Sequence, residues 1–265
     1  MATIGVFDSG VGGLSILDEA LKQLPQHHYI YLADSANAPY GEKTPSWIAK
    51  RSLHMCRYLV KEGCDAIVVA CNTATAEAIL QIRSELQIPI IGVEPGIKPA
   101  AMQSQNGIVG VLATEATLNS DKFNALLATL PNDCRFIKQA GAGLVPLIES
   151  GQLESSAMRA LLQTHLEGMI KAQADTLVLG CTHYPFLKNL IKELMGPSIV
   201  IVDTSDAVVR QLGRQLQQYG LAAESGAVSL NLLSTANGDT LQAMAERLLQ
   251  TPLSRRSIDK QSLVI

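Results

Sequence analysis

The feature that most constrains this chain is a series of short, predominantly apolar runs spaced along its whole length. Residues 4–7 (IGVF), 29–33 (YIYLA), 66–70 (AIVVA), 88–93, 107–112, 176–180 (TLVLG) and 199–202 are each four to six residues long. A strand with one wet face alternates apolar and polar residues, so an uninterrupted apolar run must be covered on both sides. The stretches between the runs, such as residues 11–24 and 47–61, are amphipathic and helix-like. Helices supplied between successive buried strands give an α/β protein with mostly parallel sheets.

Length and charge narrow the function. At 265 residues the chain makes one large or two small domains. Lys+Arg of 21 against Asp+Glu of 24 leaves a net charge of −3, which gives no basic surface for nucleic acid or for an anionic membrane. The 47% hydrophobic content excludes a disordered chain, and the 17% charged content lies below the roughly 25% of ordinary domains. No apolar run approaches the roughly 18 residues of a membrane span. No basic residue precedes Lys22 and Asp8 comes early, against the pattern of a secretory signal. With Ile4 already in the first run, little room is left for a preceding regulatory segment. A cytoplasmic protein is expected, with a tail over 251–265 that carries Arg255, Arg256 and Lys260 at the surface.

The five cysteines stand at 56, 64, 71, 134 and 181, an odd number with no CxxC pair. That argues against a disulfide framework and a zinc hairpin. Cys56 in a helix, Cys64 before a strand and Cys134 at a strand start read as packing residues. Cys71 and Cys181 are different. Residues 65–73 (DAIVVACNT) echo 175–183 (DTLVLGCTH) at an offset of 110, with three of nine positions identical, Cys71 and Cys181 among them. The echo predicts two similar α/β halves facing each other across a cleft; crossovers expected near Glu94-Pro95-Gly96 and near Asp203 to Ser205 divide them as residues 1–94 with 208–265 and residues 95–207.

Ligands of parallel α/β sheets bind beyond the carboxyl ends of the strands. There this sequence puts Asp8-Ser9, the Tyr40-Gly41 loop, Cys71-Asn72-Thr73 and Cys181-Thr182-His183. Asp8 could cap the following helix or present a carboxylate. The run GVGGLS lacks the third glycine of a dinucleotide fingerprint, and no P-loop occurs. A thiol at a strand end that starts a helix meets free N–H groups, which favour thiolate. Two opposed thiols suit a disulfide switch, a nucleophile with a spare neighbour, or proton abstraction on one face of a carbon with delivery on the other. His183 would be a proton partner for Cys181.

The stretches GVFDSGVGGLSIL (5–17), YLADSANAPYG (31–41), VVACNTATA (68–76), GVEPGIKPA (92–100), GVLATEATL (110–118) and VLGCTHYPFL (178–187) together resemble the glutamate racemase family, within the cofactor-independent aspartate/glutamate racemase superfamily. The resemblance implies a pseudo-symmetric two-domain isomerase with its site in the interdomain cleft. It implies interconversion of L- and D-glutamate for peptidoglycan synthesis, with no cofactor and no metal. Cys71 is then the base on D-glutamate and Cys181 the base on L-glutamate, helped by Asp8 and His183, with Glu149 matching a further acidic position. Implied substrate contacts are Asp8, Ser9, Tyr40, Gly41, Asn72, Thr73, Thr114, Thr117, Thr182 and His183. Oligomeric state differs among family members, and a homodimer is one expected form. The alternatives are an aspartate or other amino-acid racemase, a non-catalytic amino-acid-binding regulator, or a cysteine redox protein. The presence of both cysteines with Asp8 and His183 counts against the regulator.

Overall fold

The computed structural model describes residues 1–130, 134–221, 228–252 and 257–264. These form two compact units, the second spanning Glu94–Thr204, with the chain re-entering the first at Ser205. The first unit begins β1 (Thr3–Asp8), α1 (Leu14–Gln23), β2 (His28–Ala33), α2 (Pro45–Lys61), β3 (Ala66–Val69), α3 (Asn72–Glu85) and β4 (Ile90–Gly92). The second unit runs α4 (Ile97–Gln103), β5 (Ile108–Ala113), α5 (Glu115–Asn119), α6 (Asp121–Ala128) and β6 (Arg135–Ala140). It continues through α7 (Leu144–Glu149), α8 (Ser156–Lys171), β7 (Thr176–Gly180), α9 (Lys188–Met195) and β8 (Val200–Val202). The first unit is completed by α10 (Ser205–Gln218), β9 (Ser229–Ser234), α11 (Gly238–Leu248) and β10 (Ser257–Ser262).

All strand pairings in both sheets are parallel. The first sheet has the order β10-β9-β2-β1-β3-β4 and the second β6-β5-β7-β8. Four strands of the first sheet therefore follow the same winding as the whole of the second: second strand, first, third, fourth. β3 and β7 are the equivalent third strands, which accounts for the echo between residues 65–73 and 175–183. Among the described residues the β9–β10 pair has no counterpart in the second sheet.

Each sheet is held by apolar side chains on both faces. Ile67, Val68 and Val69 of β3 are fully buried, as are Leu177 and Val178 of β7. Full burial of such a side chain is worth about 1.5–3 kcal/mol. On one face of the first sheet Phe7, Leu32, Ile67 and Val69 meet Ile48, Leu53, Met55 and Leu59 of α2 and Ile79 of α3. In the second unit Val109, Val111, Val178 and Val202 pack with Ile97 and Phe123. α2 starts sharply because Thr44 accepts a hydrogen bond from the Trp47 N–H and Pro45 opens the first turn.

The turn from β1 to α1 is built on close approach. A Cβ on Gly13 would fall 2.7 Å from the Cβ of Asp8, so this position needs glycine for the chain to fold back over the strand end. Gly13, not Asp8, stands at the N-cap of α1. The C-terminal tail lies at the surface as expected from sequence, residues 258–262 being exposed, but residues 257–262 also form a strand, β10, paired to β9, and Leu263 is buried. Its lysine and aspartate suit the exposed edge of a sheet, which is why the segment looks solvent-bound in the sequence. Arg255 and Arg256 lie outside the described residues. Asn231 interrupts the apolar run of β9, so that strand does not stand out in the sequence. Among the described residues no helix is long and apolar enough to cross a membrane.

Candidate active site

In the first unit the strand ends set the polar groups in a row. Asp8 closes β1, and the Ala70 N–H donates to the carbonyl of Phe7 at 2.7 Å, so Asp8-Ser9 and Ala70-Cys71 emerge side by side. Asp8 is fully buried and its Oδ1 accepts the Gly10 N–H at 2.8 Å. Ser9 Oγ lies 3.5 Å from Cys71 Sγ. Cys71 is the N-cap of α3, and its sulfur accepts the Ala74 N–H at 3.4 Å. The helix start thus directs the Ala74 N–H at the sulfur, an arrangement that stabilises negative charge. Asn72 and Thr73 form the first turn of α3 and are buried; Asn72 Nδ2 donates to the carbonyl of Val93 at 3.4 Å.

Tyr40 and Gly41 sit in a single 3-10 turn (Tyr40–Glu42) after β2. The Tyr40 ring is buried against Phe7 and edge-on to Trp47. Its hydroxyl donates to Asp34 Oδ2 at 2.6 Å. Burial, and then the Asp34 carboxylate beside it, push the Tyr40 phenol far above its ordinary range. Asp34 and its partner Arg51 were not among the residues singled out from sequence, where Asp34 looks like any loop-starting aspartate.

In the second unit β5 and β7 are paired neighbours with Ala113 opposite Gly180, so Thr114 and Cys181 leave adjacent strand ends. Cys181, Thr182 and His183 are all buried. Cys181 Sγ lies 3.7 Å from His183 Nδ1, and the other ring nitrogen, Nε2, lies 2.5 Å from Glu149 Oε1. Glu149 is the last residue of α7, so the sequence-distant carboxylate and the imidazole meet as a carboxylate–imidazole–thiol chain. Burial opposes charge on His183, but its hydrogen bonds to Cys181 and Glu149, and their negative charges, outweigh it. The imidazole pKa therefore lies well above the ordinary value. Tyr184 is buried with its hydroxyl on the Gly141 carbonyl, and burial followed by the nearby Cys181 pushes its phenol well up.

Thr114 is the N-cap of α5, accepting the Thr117 N–H at 3.2 Å, while its own hydroxyl donates to Thr117 Oγ1 at 2.8 Å. Cys181 does not start a helix directly, as the sequence suggests it should. A 3-10 turn (Tyr184–Leu187) with Pro185 comes first, and α9 follows. Of the other cysteines, Cys56 and Cys64 are buried, and burial raises both thiols, Cys64 to about 12. Cys134 donates to the Ala101 carbonyl at 3.7 Å.

A model of the Asp/Glu/Hydantoin racemase family matches residues 5–212. A glutamate racemase of Ralstonia nicotianae is 53% identical over 256 residues, covering 96% of this chain and 92% of that one. Among solved structures, a glutamate racemase isoform of Bacillus anthracis superposes with a TM-score of 0.86 at 30% identity, covering 99% of this chain and 98% of that one. The Escherichia coli glutamate racemase, solved with L-glutamate and the activator UDP-MurNAc-Ala, gives a TM-score of 0.85 at 30% identity, covering 100% of this chain and 99% of that one. With a family model matched over residues 5–212, a glutamate racemase fold superposing over nearly the whole chain and about half identity to a curated glutamate racemase, this chain belongs to the Asp/Glu/hydantoin racemase family, among its glutamate racemases.

Proposed function

We propose that this protein interconverts L- and D-glutamate by two-base proton transfer, with Cys71 and Cys181 as the two proton carriers and without a cofactor. The observation that carries the reading is the equivalence of the two thiols. Each follows the third strand of its own sheet, and each has a polar neighbour of its own, Ser9 for Cys71 and the His183–Glu149 pair for Cys181. Racemisation needs this duality: a base removes the Cα proton from one face and an acid returns a proton to the other. Cys71 acts as base on D-glutamate and Cys181 on L-glutamate, each being the acid for the opposite direction.

The Cα–H is a weak acid, so the developing negative charge must be met by preorganised donors. Candidates are the N–H groups and side chains of Asn72 and Thr73 with Ser9 and the Tyr40-Gly41 turn in the first unit. Thr114, Thr117 and Thr182 are those of the second. Asp8 and His183 hold or move a proton beside Cys71 and Cys181 respectively. The D-glutamate formed would serve peptidoglycan synthesis in the cytoplasm.

The test is turnover of purified protein in both directions, with aspartate as the competing substrate, and with Cys71→Ser and Cys181→Ser. Expected are racemisation of glutamate in preference to aspartate, loss of racemisation in either variant, and solvent deuterium appearing mainly in the product enantiomer. Activity should survive chelator and carbonyl reagents and fall with a thiol alkylator, with glutamate protecting. Near-normal racemisation by either variant removes that thiol from the mechanism, and activity restored by metal after chelation overturns the cofactor-free reading. Rescue of a D-glutamate auxotroph checks the cell-wall role.

A further inference from the structure

Asp34 is fully buried and receives hydrogen bonds from four side chains on three separate stretches of the first unit. Arg51 of α2 grips it with two nitrogens, Nε to Oδ2 at 2.9 Å and a terminal nitrogen to Oδ1 at 2.8 Å. Tyr40 donates to Oδ2 at 2.6 Å, Asn37 to Oδ1 at 3.0 Å, and Thr235, just past β9, to Oδ1 at 2.8 Å. Thr235 holds the start of the same loop in two further ways. Its N–H donates to the Ala33 carbonyl at 3.0 Å, and its hydroxyl accepts the Ala36 N–H at 3.2 Å. The Asp34 N–H in turn donates to the Asp8 carbonyl at 2.9 Å. A continuous path thus runs from the end of β9 through Asp34 to Asp8 and to Tyr40, which packs in one apolar cluster with Cys71.

A buried ion pair is a weak device for stability alone, because desolvation offsets most of the attraction. Its value is that it defines one arrangement of the loop. Burial raises the Asp34 carboxyl, but Arg51, Tyr40, Asn37 and Thr235 together hold it below its ordinary range, so the pair stays charged. Thr235 also lies beyond residues 5–212, the part matched by the family model.

We propose that Asp34, clamped by Arg51 and Thr235, is the positioning residue that sets the Tyr40 loop against the Cys71 side of the site, and that the C-terminal β9 segment thereby tunes proton transfer at Cys71. The role in turnover rests on the racemase reading above. The influence of the Asp34 clamp on Cys71 does not, and a readout independent of racemisation separates the two.

The experiment uses the full chain with Tyr40→Phe and Thr235→Val, which remove one hydroxyl each and keep the side-chain shape. Asp34→Asn serves as the harsher variant. kcat and KM for each glutamate enantiomer are measured, together with the alkylation rates of Cys71 and Cys181, resolved by peptide mass spectrometry. A misplaced loop costs about tenfold in kcat/KM, a tenth of the hundredfold that a 1 Å displacement can cause. Expected for both conservative variants are that loss, a Cys71 alkylation rate changed several-fold and an unchanged Cys181 rate, with only the small fall in Tm that one lost hydrogen bond brings. The double variant should be no worse than the worse single, because both act through one carboxylate. Unchanged Cys71 alkylation and kcat/KM in both variants overturn the proposal, as do equal changes at both thiols with a larger fall in Tm, which mark general loosening. A wild-type protein that does not racemise glutamate sinks the functional reading, while the alkylation arm still decides the clamp.

Discussion

At the scale of single residues, the site is governed by what each titrating group is forced to face. His183 is enclosed between a thiol and a carboxylate, and these outweigh the cost of burying its charge. Its raised pKa has a definite consequence for stability. Below the unfolded imidazole value of about 6.5 the contribution is fully present, and it is lost as pH rises through the elevated folded value. Glu149→Gln removes one of the two supports. The variant should therefore titrate His183 at lower pH by NMR of the imidazole protons. Its urea midpoint should also change less than the wild type's between mildly acidic and alkaline solution. An unchanged His183 titration would show that Glu149 does not set the charge on that ring. Removing His183 itself should cost about 10²–10⁴ in turnover, the usual worth of a general acid–base group.

At the scale of elements, the capping role that Cys71 has in the structure can be separated from the proton-carrying role proposed for it. As N-cap it accepts the Ala74 N–H, a task at which serine is at least as good, while a serine hydroxyl is a far weaker acid than a thiol. Cys71→Ser should therefore keep α3, with a Tm near that of the wild type and an unchanged helical circular dichroism, while racemisation is lost. Cys71→Ala removes the cap as well and should cost about 1 kcal/mol by denaturant unfolding. If the serine variant unfolded as easily as the alanine one, the capping account of Cys71 would be wrong.

At the scale of the whole molecule, one winding of four parallel strands is used twice, and only the first sheet is extended by β9 and β10. β9 buries Leu230, Leu232 and Leu233 and is shielded at its outer edge by β10, whose Asp259, Lys260 and Gln261 are exposed. Truncation after Thr251 would leave the backbone of a largely apolar strand open to pairing with other chains. The truncated protein should elute as aggregates in size-exclusion chromatography and lose thermal stability, whereas a soluble monomer with wild-type Tm would show that β10 protects nothing.

The amino-acid sequence by itself determined the fold class, because uninterrupted apolar runs such as residues 66–70 and 176–180 can be satisfied only by burial on both faces. It also marked Cys71, Cys181, Asp8 and His183 as candidates, since a local pattern places each at a strand end. Tertiary structure alone decided which distant groups meet. Glu149 reaches His183 across 34 positions, and Thr235 reaches Asp34 across 201. Nothing in the neighbouring residues of Asp34 or Arg51 distinguishes a buried hub from an ordinary loop acid and a surface base. β10 was hidden for a related reason: an edge strand carries charged and polar residues that suit solvent and discourage pairing with other chains, so its local pattern is that of a tail. Periodicity records what a segment needs covered, whereas the identity of the partner is set only when the chain closes on itself.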